Sequence, residues 1–401
     1  MSVRSPEPSA SATKVVMFSS VNFTRAYAGF QYLADSLHQQ GFEVEVFAHV
    51  PRSLMSEARE LPYTIHSCYE GFWGRIRLFR HFVFRMKIYQ TVMKGCDAIV
   101  LNSSGMTGYF DVAVKFRKSK TVNALVQYCP ELGLGGTKGL KGRKLEERIK
   151  SGNVPDMIVD VEPHRAEIRR NILKLKEPVY VIPNTLPLAG LPPRAPPGTL
   201  SKLAGCDFPR NKLILLFTGI ASGATIRDLT EIMSFVSDNI FLLWFAHGSE
   251  KAIDSAQECL QASLGCERVH VSNSVSRTSL LSAQHEADAG LITYSWRHIR
   301  TQNQKYAAPT KLFEYLASGL PIASYGNPSI LSLVEQFHIG YCSGEDTPES
   351  LARAINNLFD CNDYPELKDH VRKMFVKHLC YEKCSEVVLE KMFSLIRDES
   401  Q

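Results

Sequence analysis

The segment Tyr306–Ser324 reads YAAPTKLFEYLASGLPIAS. It contains the residues typical of a helix start, of an amphipathic helix and of a helix end. Its apolar residues recur at helical spacing: Leu312, Phe313, Leu316 and Leu320. Pro309 is typical of a helix start, and Gly319 followed by Pro321 is typical of a helix end. The segment therefore predicts a helix that begins near Pro309.

Two short apolar runs flank this helix and predict buried strands. Ala289–Tyr294 precedes it and Pro321–Ser324 follows it. The order strand, loop, helix, strand is typical of a parallel α/β sheet. Because such a helix begins at the carboxyl end of a strand, its N-terminus lies where open α/β sheets bind ligands.

Two charged residues near the helix start have different explanations. Glu314 is expected in the first turn, where the helix dipole favours a carboxylate in any case. Lys311 is disfavoured there by roughly a few tenths of a kcal/mol unless an anion lies nearby. The local sequence leaves two interpretations of Lys311 open, an anion ligand and a solvated surface lysine.

Length and composition predict a two-domain globular protein. The chain has 401 residues, more than one ordinary core holds, with 44% hydrophobic and 22% charged residues. The net charge of +5 is too small to demand nucleic acid as a partner. The ten cysteines are scattered without a C-x-x-C pair, so we expect reduced thiols and a cytoplasmic protein. No apolar run reaches the roughly 20 residues that span a bilayer.

The alternation of strands and helices predicts where the domains lie. Lys14–Ser20 and Phe42–Ala48 are predicted strands around a helix at Gly29–His38, which makes a βαβ unit. A Pro-rich segment near residue 190 cannot continue a helix or a central strand. We therefore predict five parts: a disordered tail 1–13, a Rossmann-like domain 14–186, a linker 187–200, a second Rossmann-like domain 201–375, and a C-terminal helix 376–401.

The second half repeats the α/β pattern. Lys212–Gly219 is a predicted strand, a small polar loop follows it, and a helix is expected from Arg227. Asn239–Ala246 is the next predicted strand. Toward the end, Pro365–Met392 predicts one long helix, and its last part could cross back to the first domain.

The residues PTKLFEYLASGLPI, positions 309–322, resemble the donor-site signature of family 4 glycosyltransferases. The resemblance implies the GT-B fold, with two Rossmann-like parallel-sheet domains facing a cleft. It also implies a hexosyltransferase that uses a nucleoside-diphosphate sugar and retains the anomeric configuration. The implied acceptor is a glycan, a lipid-linked molecule or a small molecule. The implied co-substrate is a UDP- or GDP-sugar, with no further cofactor and no metal.

The same resemblance assigns donor-binding candidates around the predicted helix. Glu314 matches the glutamate that holds the ribose of the nucleotide sugar. Thr310 and Lys311 lie in the part that matches the diphosphate-binding segment. Tyr306 stands eight residues before Glu314, where the family often has a first acid near the transferred sugar. This departure leaves the identity of the sugar open.

Further candidates lie at other strand ends. Gly219 ends a predicted strand and Ser222 lies in the loop between that strand and a helix, where backbone N–H groups can meet phosphate. Arg227 is a candidate for the cation that the family usually supplies nearby. Arg25 and Glu131 are candidates in the first domain. The sequence names no catalytic residue, and no D-x-D triplet or zinc-spaced His/Cys cluster predicts a metal site.

Residues 72–90 combine five arginine and lysine residues with several aromatic ones. One interpretation is a helix that packs its aromatic face on the sheet and keeps its cations in water. The other is contact with an anionic membrane surface, which would make the protein peripheral at the inner face of a membrane. The sequence contains no recognisable nucleic-acid-binding module.

Two alternatives to a transferase remain open from the sequence. One is a GT-B nucleotide-sugar epimerase or phosphorylase. The other is a non-catalytic member that binds nucleotide sugars or acts as a scaffold, because Gly219-Ile220 replaces the family's Gly-Arg and Tyr306 replaces an acid. No G-x-G-x-x-G follows the first strand, which disfavours a dinucleotide oxidoreductase.

Overall fold

The computed structural model describes residues 13–22, 28–50, 55–67, 77–102, 113, 115–117, 122–130, 154–209, 211–294, 305–360 and 364–397. The chain divides into two compact units. The first unit comprises Met1–Pro183 together with Ser385–Gln401, and the second comprises Asn184–Cys384. Among the described helices, none combines the length and apolar character needed to cross a bilayer.

The first unit is built on a parallel sheet with the strand order β3-β2-β1-β4-β5-β6-β7. Its strands are β1 Lys14–Asn22, β2 Glu43–His49, β3 Thr64–Ser67, β4 Ala98–Asn102, β5 Ala124–Cys129, β6 Met157–Asp160 and β7 Tyr180–Val181. Its described helices are Ala28–Gln39, Met55–Arg59, Arg77–Met93, Pro163–Leu173 and the greater part of Tyr381–Arg397.

The second unit is built on a parallel sheet with the strand order β10-β9-β8-β11-β12-β13. Its strands are β8 Leu213–Ile220, β9 Ile240–His247, β10 Val269–Asn273, β11 Ala289–Ile292, β12 Ile322–Tyr325 and β13 Gly340–Ser343. Its described α-helices are Thr199–Ala204, Gly223–Ser234, Glu250–Leu264, Arg277–Ala283, Thr310–Ala317, Pro328–Phe337, Pro348–Phe359 and Tyr364–Met374.

Alternate residues of the central strand β8 face opposite sides of the sheet. Ile214 and Leu216 belong to one buried apolar layer, and Leu215 and Phe217 belong to the other. Both faces are covered, as a parallel sheet with crossover helices requires. The helix Thr310–Ala317 packs its apolar residues into the layer of Ile214 and Leu216.

Gly290 sets how closely the helix Thr310–Ala317 approaches the sheet. A Cβ atom at this position would lie 2.2 Å from Cδ2 of Tyr315. Tyr315 is fully buried, and its hydroxyl lies 3.3 Å from Oγ1 of Thr218 at the end of β8. A residue without a side chain at position 290 therefore fixes Tyr315, and with it the height of the helix above the strand ends.

The helical segment before the C-terminus is interrupted, whereas the sequence predicts one continuous helix. Pro365–Met392 was expected to be continuous, but the α-helix ends at Met374, a π-helical turn covers Phe375–Leu379, and a new helix begins at Tyr381. The break is stabilised by a neighbouring segment. Thr185 Oγ1 donates to the Leu379 carbonyl, and the Tyr381 amide donates to the Leu186 carbonyl. These contacts satisfy backbone groups that a straight helix would have used itself.

The Pro-rich segment lies on the second unit. It contains a short 3₁₀ turn at Leu188–Gly190, and its apolar side chains, among them Leu191 and Ala195, pack against the buried layer of that unit. A helix begins at Thr199, just before the predicted end of the segment at residue 200. The boundary between the two compact units falls between Pro183 and Asn184, a few residues before the predicted linker.

The helix Arg77–Met93 overlaps the basic and aromatic segment 72–90, and part of that segment lies outside the described residues. The described side chains divide between two faces. Phe84, Ile88 and Val92 are buried in the core of the first unit. The opposite face exposes apolar side chains at positions 86, 89 and 93. The helix therefore packs on the sheet and also carries an exposed apolar stripe.

Candidate functional site

The site begins at the helix Thr310–Ala317, which starts directly after Pro309. Pro309 lies at the N-cap position and provides no side-chain hydrogen bond to the first turn. The start of this helix therefore keeps the positive end of its dipole without a capping side chain. The N-terminus lies at the carboxyl edge of the sheet, since the helix follows β11 and leads into β12.

Lys311 lies in the first turn and points back over the end of β8. Its Nζ donates to the Thr218 carbonyl over 2.9 Å. The same Nζ lies 4.7 Å from the ring centre of Phe217 and 5.1 Å from that of Tyr294. The cation is thus held between two aromatic faces and one carbonyl, a geometry in which cation–π attraction contributes. The solvated surface lysine that the sequence left open is not what the structure has.

Burial changes the ionisation of Lys311. It lowers the pKa of the side chain from its ordinary value of 10.5 to about 8, and the Glu314 carboxylate opposes part of that change. The ammonium group has lost much of its contact with water and keeps the Thr218 carbonyl as a hydrogen-bond acceptor. A bound anion would add a negative charge beside the ammonium group and replace the hydrogen-bond acceptors that water no longer provides.

Glu314 lies in the second turn of the helix, not in the first turn as predicted. The helix begins at Thr310, so Glu314 is its fifth residue and stands beyond the turn that the dipole affects most. Its carboxylate is instead held by a cation. Arg277 Nε donates to Glu314 Oε1 over 2.6 Å, and both side chains are partly buried. The capping explanation of Glu314 is therefore wrong.

A second contact ties the same helix to its neighbour. Gln284 Nε2 donates to the main-chain carbonyl of Glu314 and to Ser318 Oγ, each over 2.7 Å. Gln284 is buried and lies just past the end of the helix Arg277–Ala283. The helix carrying Glu314 is therefore held at its side chain by Arg277 and at its backbone by Gln284.

The loop after β8 supplies a second helix start at the same sheet edge. Ser222 is the N-cap of the helix Gly223–Ser234, and its Oγ accepts from the Thr225 amide over 3.2 Å. This helix was predicted from Arg227, and it begins four residues earlier because Ser222 caps it. Gly219 lies one residue before the end of β8, and a Cβ atom at this position would lie 2.9 Å from the Phe217 ring.

The other residues predicted for the site differ in how far they are exposed, and two of them lie outside the described residues. Arg227 is exposed in the second turn of its helix, and among the described residues no hydrogen bond or ion pair joins it to Lys311 or Glu314. Thr310 and Tyr306 are partly buried, and Lys305 Nζ lies 5.3 Å from the Tyr306 ring centre. Arg25 and Glu131 lie outside the described residues.

Sequence reasoning missed two residues that hold this site together. Arg277 follows β10, and a cation placed after another parallel strand of the same sheet was the available signal. Asn184 Nδ2 donates over 2.9 Å to the carbonyl of Ala308, the residue before Pro309. This contact joins positions 124 residues apart, and local periodicity carries no information about it.

The arrangement brings two cations and one carboxylate to the first two turns of a helix. Lys311 and the helix N-terminus form a positive site suited to a diphosphate. Glu314 is a carboxylate suited to accept hydrogen bonds from a vicinal diol. Among the residues that the structure describes, no group of three His, Cys, Asp or Glu side chains could hold a metal ion.

No family model matches the chain, and no curated protein matches it by sequence. Solved structures match it over nearly its whole length. A glycosyltransferase from Rickettsia africae superposes with a TM-score of 0.71 at 11% identity and covers 97% of this chain and 100% of its own. Sucrose-phosphate synthase from Thermosynechococcus elongatus gives 0.69 at 14% identity, covering 96% of this chain and 100% of its own.

A structure of HepE from Anabaena with UDP and glucose gives a TM-score of 0.66 at 13% identity, covering 95% of this chain and 100% of its own. At such identities the likeness establishes the fold. The chain has the GT-B fold, and the prediction of two parallel-sheet α/β domains is confirmed.

Proposed function

We propose that this protein is a glycosyltransferase that transfers a hexose-type sugar from a nucleoside-diphosphate sugar to an acceptor. The observation that carries the proposal is the grouping of Lys311, Glu314 and Arg277 around the first two turns of one helix that begins at the carboxyl edge of a parallel sheet. The fold agrees with it, because GT-B neighbours include glycosyltransferases, and HepE is solved with UDP and with UDP-glucose.

In this proposal the diphosphate lies at the start of the helix Thr310–Ala317. Lys311 compensates its charge, and backbone N–H groups at Thr310, at the helix start after Ser222 and at Gly219 near the end of β8 are the proposed hydrogen-bond donors. When the glycosidic bond breaks, negative charge grows on the leaving diphosphate, so a cation already held in place stabilises the transition state. Tyr306, on the segment leading into the helix, is the candidate for contact with the transferred sugar.

Glu314 is proposed to hold the ribose. Its carboxylate is fixed by Arg277 and can still accept from the two hydroxyls of the ribose. The residue resembles the ribose-binding glutamate of family 4 glycosyltransferases, and its place beside the lysine site supports that role. UDP- and GDP-sugars are the proposed co-substrates.

Calorimetry with Glu314 variants tests this assignment. Glu314→Ala removes two charge-assisted hydrogen bonds to the ribose, so we expect nucleotide affinity to fall at least tenfold, because each bond contributes about 1.5–3 kcal/mol. The exposed Glu258, on the helix Glu250–Leu264, gives a matched control in Glu258→Ala, which should bind as the wild type does. Equal affinity of wild type and Glu314→Ala would refute the donor-site assignment.

The base and the reaction need separate measurements. A thermal-shift panel of UDP, GDP, ADP, CMP and dTDP with their sugars identifies the base, and a protein that responds to none of them contradicts the proposal. Product analysis with labelled donor, with and without acceptor, separates a transferase from an epimerase or a phosphorylase. Proton NMR of the product tests the proposed retention of configuration.

We also propose that transfer needs no divalent metal, because Lys311 and the two helix starts supply positive charge at the leaving group. The expected result is unchanged activity after treatment with EDTA. Activity that is lost with EDTA and restored by Mg²⁺ or Mn²⁺ would contradict this part of the proposal. The binding role of Glu314 would stand in either case.

Membrane contact is a further part of the proposal. The helix Arg77–Met93 exposes Met86, Tyr89 and Met93 on one face, and Lys87 and Lys94 are exposed beside that face. Apolar side chains flanked by lysines fit an anionic lipid surface, which suits a lipid-linked acceptor. Vesicles containing phosphatidylglycerol should bind the wild type more strongly than they bind the triple variant Met86→Ser, Tyr89→Ser, Met93→Ser. Equal binding of both would remove membrane contact from the proposal.

A further inference from the structure

We infer that Arg277 is a positioning residue that fixes the Glu314 carboxylate and thereby makes the site select ribonucleotides over 2′-deoxyribonucleotides. The inference rests on the proposed function and names a residue that neither the sequence signature nor the fold assigns. Its basis is the contact between the first residue of the helix Arg277–Ala283 and the middle of the helix Thr310–Ala317.

The contact is short and partly shielded from water. Arg277 Nε donates to Glu314 Oε1 over 2.6 Å, at side-chain exposures of 24% and 19%. Hydrogen bonds between charged groups are stronger than neutral ones, and partial burial reduces their screening by salt. The Glu314 side chain is therefore held in one orientation before any ligand arrives.

The two helices that carry this pair are also fixed to each other at a second point. Gln284, just past the end of the Arg277 helix, donates to the Glu314 carbonyl and to Ser318 Oγ. At the other end, Ser276 caps the Arg277 helix by accepting from the Ser279 amide over 3.1 Å. With the backbones held on both sides, the position of the carboxylate depends on the Arg277 side chain rather than on helix movement.

The Glu314 carboxylate can accept further hydrogen bonds while it is paired with Arg277. Arg277 uses Oε1, while Oε2 accepts no hydrogen bond from the described residues. A carboxylate has about four lone-pair sites, so a vicinal diol can place one hydroxyl on each oxygen. A ligand that lacks the 2′-hydroxyl leaves one of these acceptors desolvated and unpaired. Sites built to bind a hydroxyl reject analogues without it for this reason.

The site rejects 2′-deoxyribonucleotides strongly because the Glu314 carboxylate is fixed. A glutamate without the arginine could rotate to follow a single hydroxyl or return to water, which would reduce the penalty for a deoxyribose. Arg277 prevents that adjustment. We therefore expect its loss to weaken ribonucleotide binding much more than 2′-deoxyribonucleotide binding.

Calorimetry with matched nucleotides tests the inference. UDP is compared with 2′-deoxy-UDP and GDP with 2′-deoxy-GDP, for the wild type, Arg277→Met, Arg277→Lys and the control Arg353→Met, whose arginine is exposed on another helix. The wild type and the control should bind the ribose form at least about tenfold more tightly. In Arg277→Met the ratio should fall below about threefold, mainly through weaker ribose binding, and Arg277→Lys should keep part of it.

Each other outcome has a distinct meaning. If Arg277→Met weakens both forms equally, the arginine contacts another part of the ligand, and the inference is overturned. If it lowers thermal stability but keeps the ratio, its role is structural only, which overturns the inference as well. If the wild type binds neither form of either nucleotide, the proposed function itself fails. If the wild type binds both forms equally, the donor site stands and only the selectivity is wrong.

Discussion

The pH dependence of nucleotide binding follows from the environment of Lys311. Its pKa of about 8 in the free protein means that about nine tenths of the side chains are charged at pH 7 and about one tenth at pH 9. A diphosphate beside Nζ favours the charged form, so it raises this pKa and binding takes up a proton. Affinity must then fall as pH rises through the pKa of the free protein.

The size of the effect can be calculated. If the bound lysine keeps its proton up to pH 9, the affinity is proportional to the charged fraction in the free protein. Between pH 7 and pH 9 that fraction falls from about 0.9 to about 0.1, so the affinity should fall about tenfold. At pH 9 each binding event should take up about 0.9 of a proton, because about nine tenths of the free lysines are then neutral.

Isothermal titration calorimetry with UDP or GDP in buffers of different ionisation enthalpy measures both quantities. The matched control is Lys311→Arg, since a guanidinium stays charged across this range. Its affinity should be independent of pH between 7 and 9 apart from ionisation of the nucleotide itself, which is common to both proteins and cancels in the comparison. The reasoning is refuted if the wild type and Lys311→Arg have the same pH dependence, whatever their absolute affinities.

Four other changes have expected outcomes. Lys311→Met removes a charge that burial disfavours, so at pH 7 we expect the free energy of unfolding to rise by about 1–3 kcal/mol. The same variant should bind nucleotide more weakly. A variant that is less stable than the wild type would contradict this expectation. Gly290→Ala places a Cβ 2.2 Å from the buried Tyr315 ring and should cost about 1–3 kcal/mol in chemical denaturation, whereas Gly344→Ala, with nothing within 4 Å, should be neutral. Arg169 is buried and donates to the Asp160 carboxylate over 2.9 Å, so Asp160→Ala removes that acceptor and should lower the free energy of unfolding by about 3–5 kcal/mol. The control Glu167→Ala, at an exposed ion pair, should change it by no more than about 0.5 kcal/mol. Asn184→Ala removes the donor to the Ala308 carbonyl, so nucleotide affinity should fall severalfold at a stability cost of about 1 kcal/mol, and unchanged affinity would show that this contact does not position the helix.

Interactions between neighbours in the chain made much of the fold predictable. The apolar spacing around Phe313, with Pro309 before it and Gly319 after it, predicts the helix that the structure has at Thr310–Ala317. Short apolar runs separated by helices predict parallel strands, and both sheets are parallel. The same local signals misplaced the end of a helix at Met374, because the contact of Thr185 with the Leu379 carbonyl is not local.

The chemistry of the site was decided by tertiary structure. The sequence by itself identified Lys311 and Glu314 as candidates, but not what each contacts. Thr218 and Lys311 are 93 residues apart, and Arg277 and Glu314 are 37 apart. Thr218 and Lys311 meet because the sheet order places β8 beside β11 and because Gly290 lets the helix lie close above the strands. Arg277 and Glu314 meet because their two helices pack side by side, with Gln284 joining them. That order follows from which apolar faces are buried together, a property of the whole sheet, so no local pattern could show that Glu314 is held by an arginine and that Lys311 is short of water.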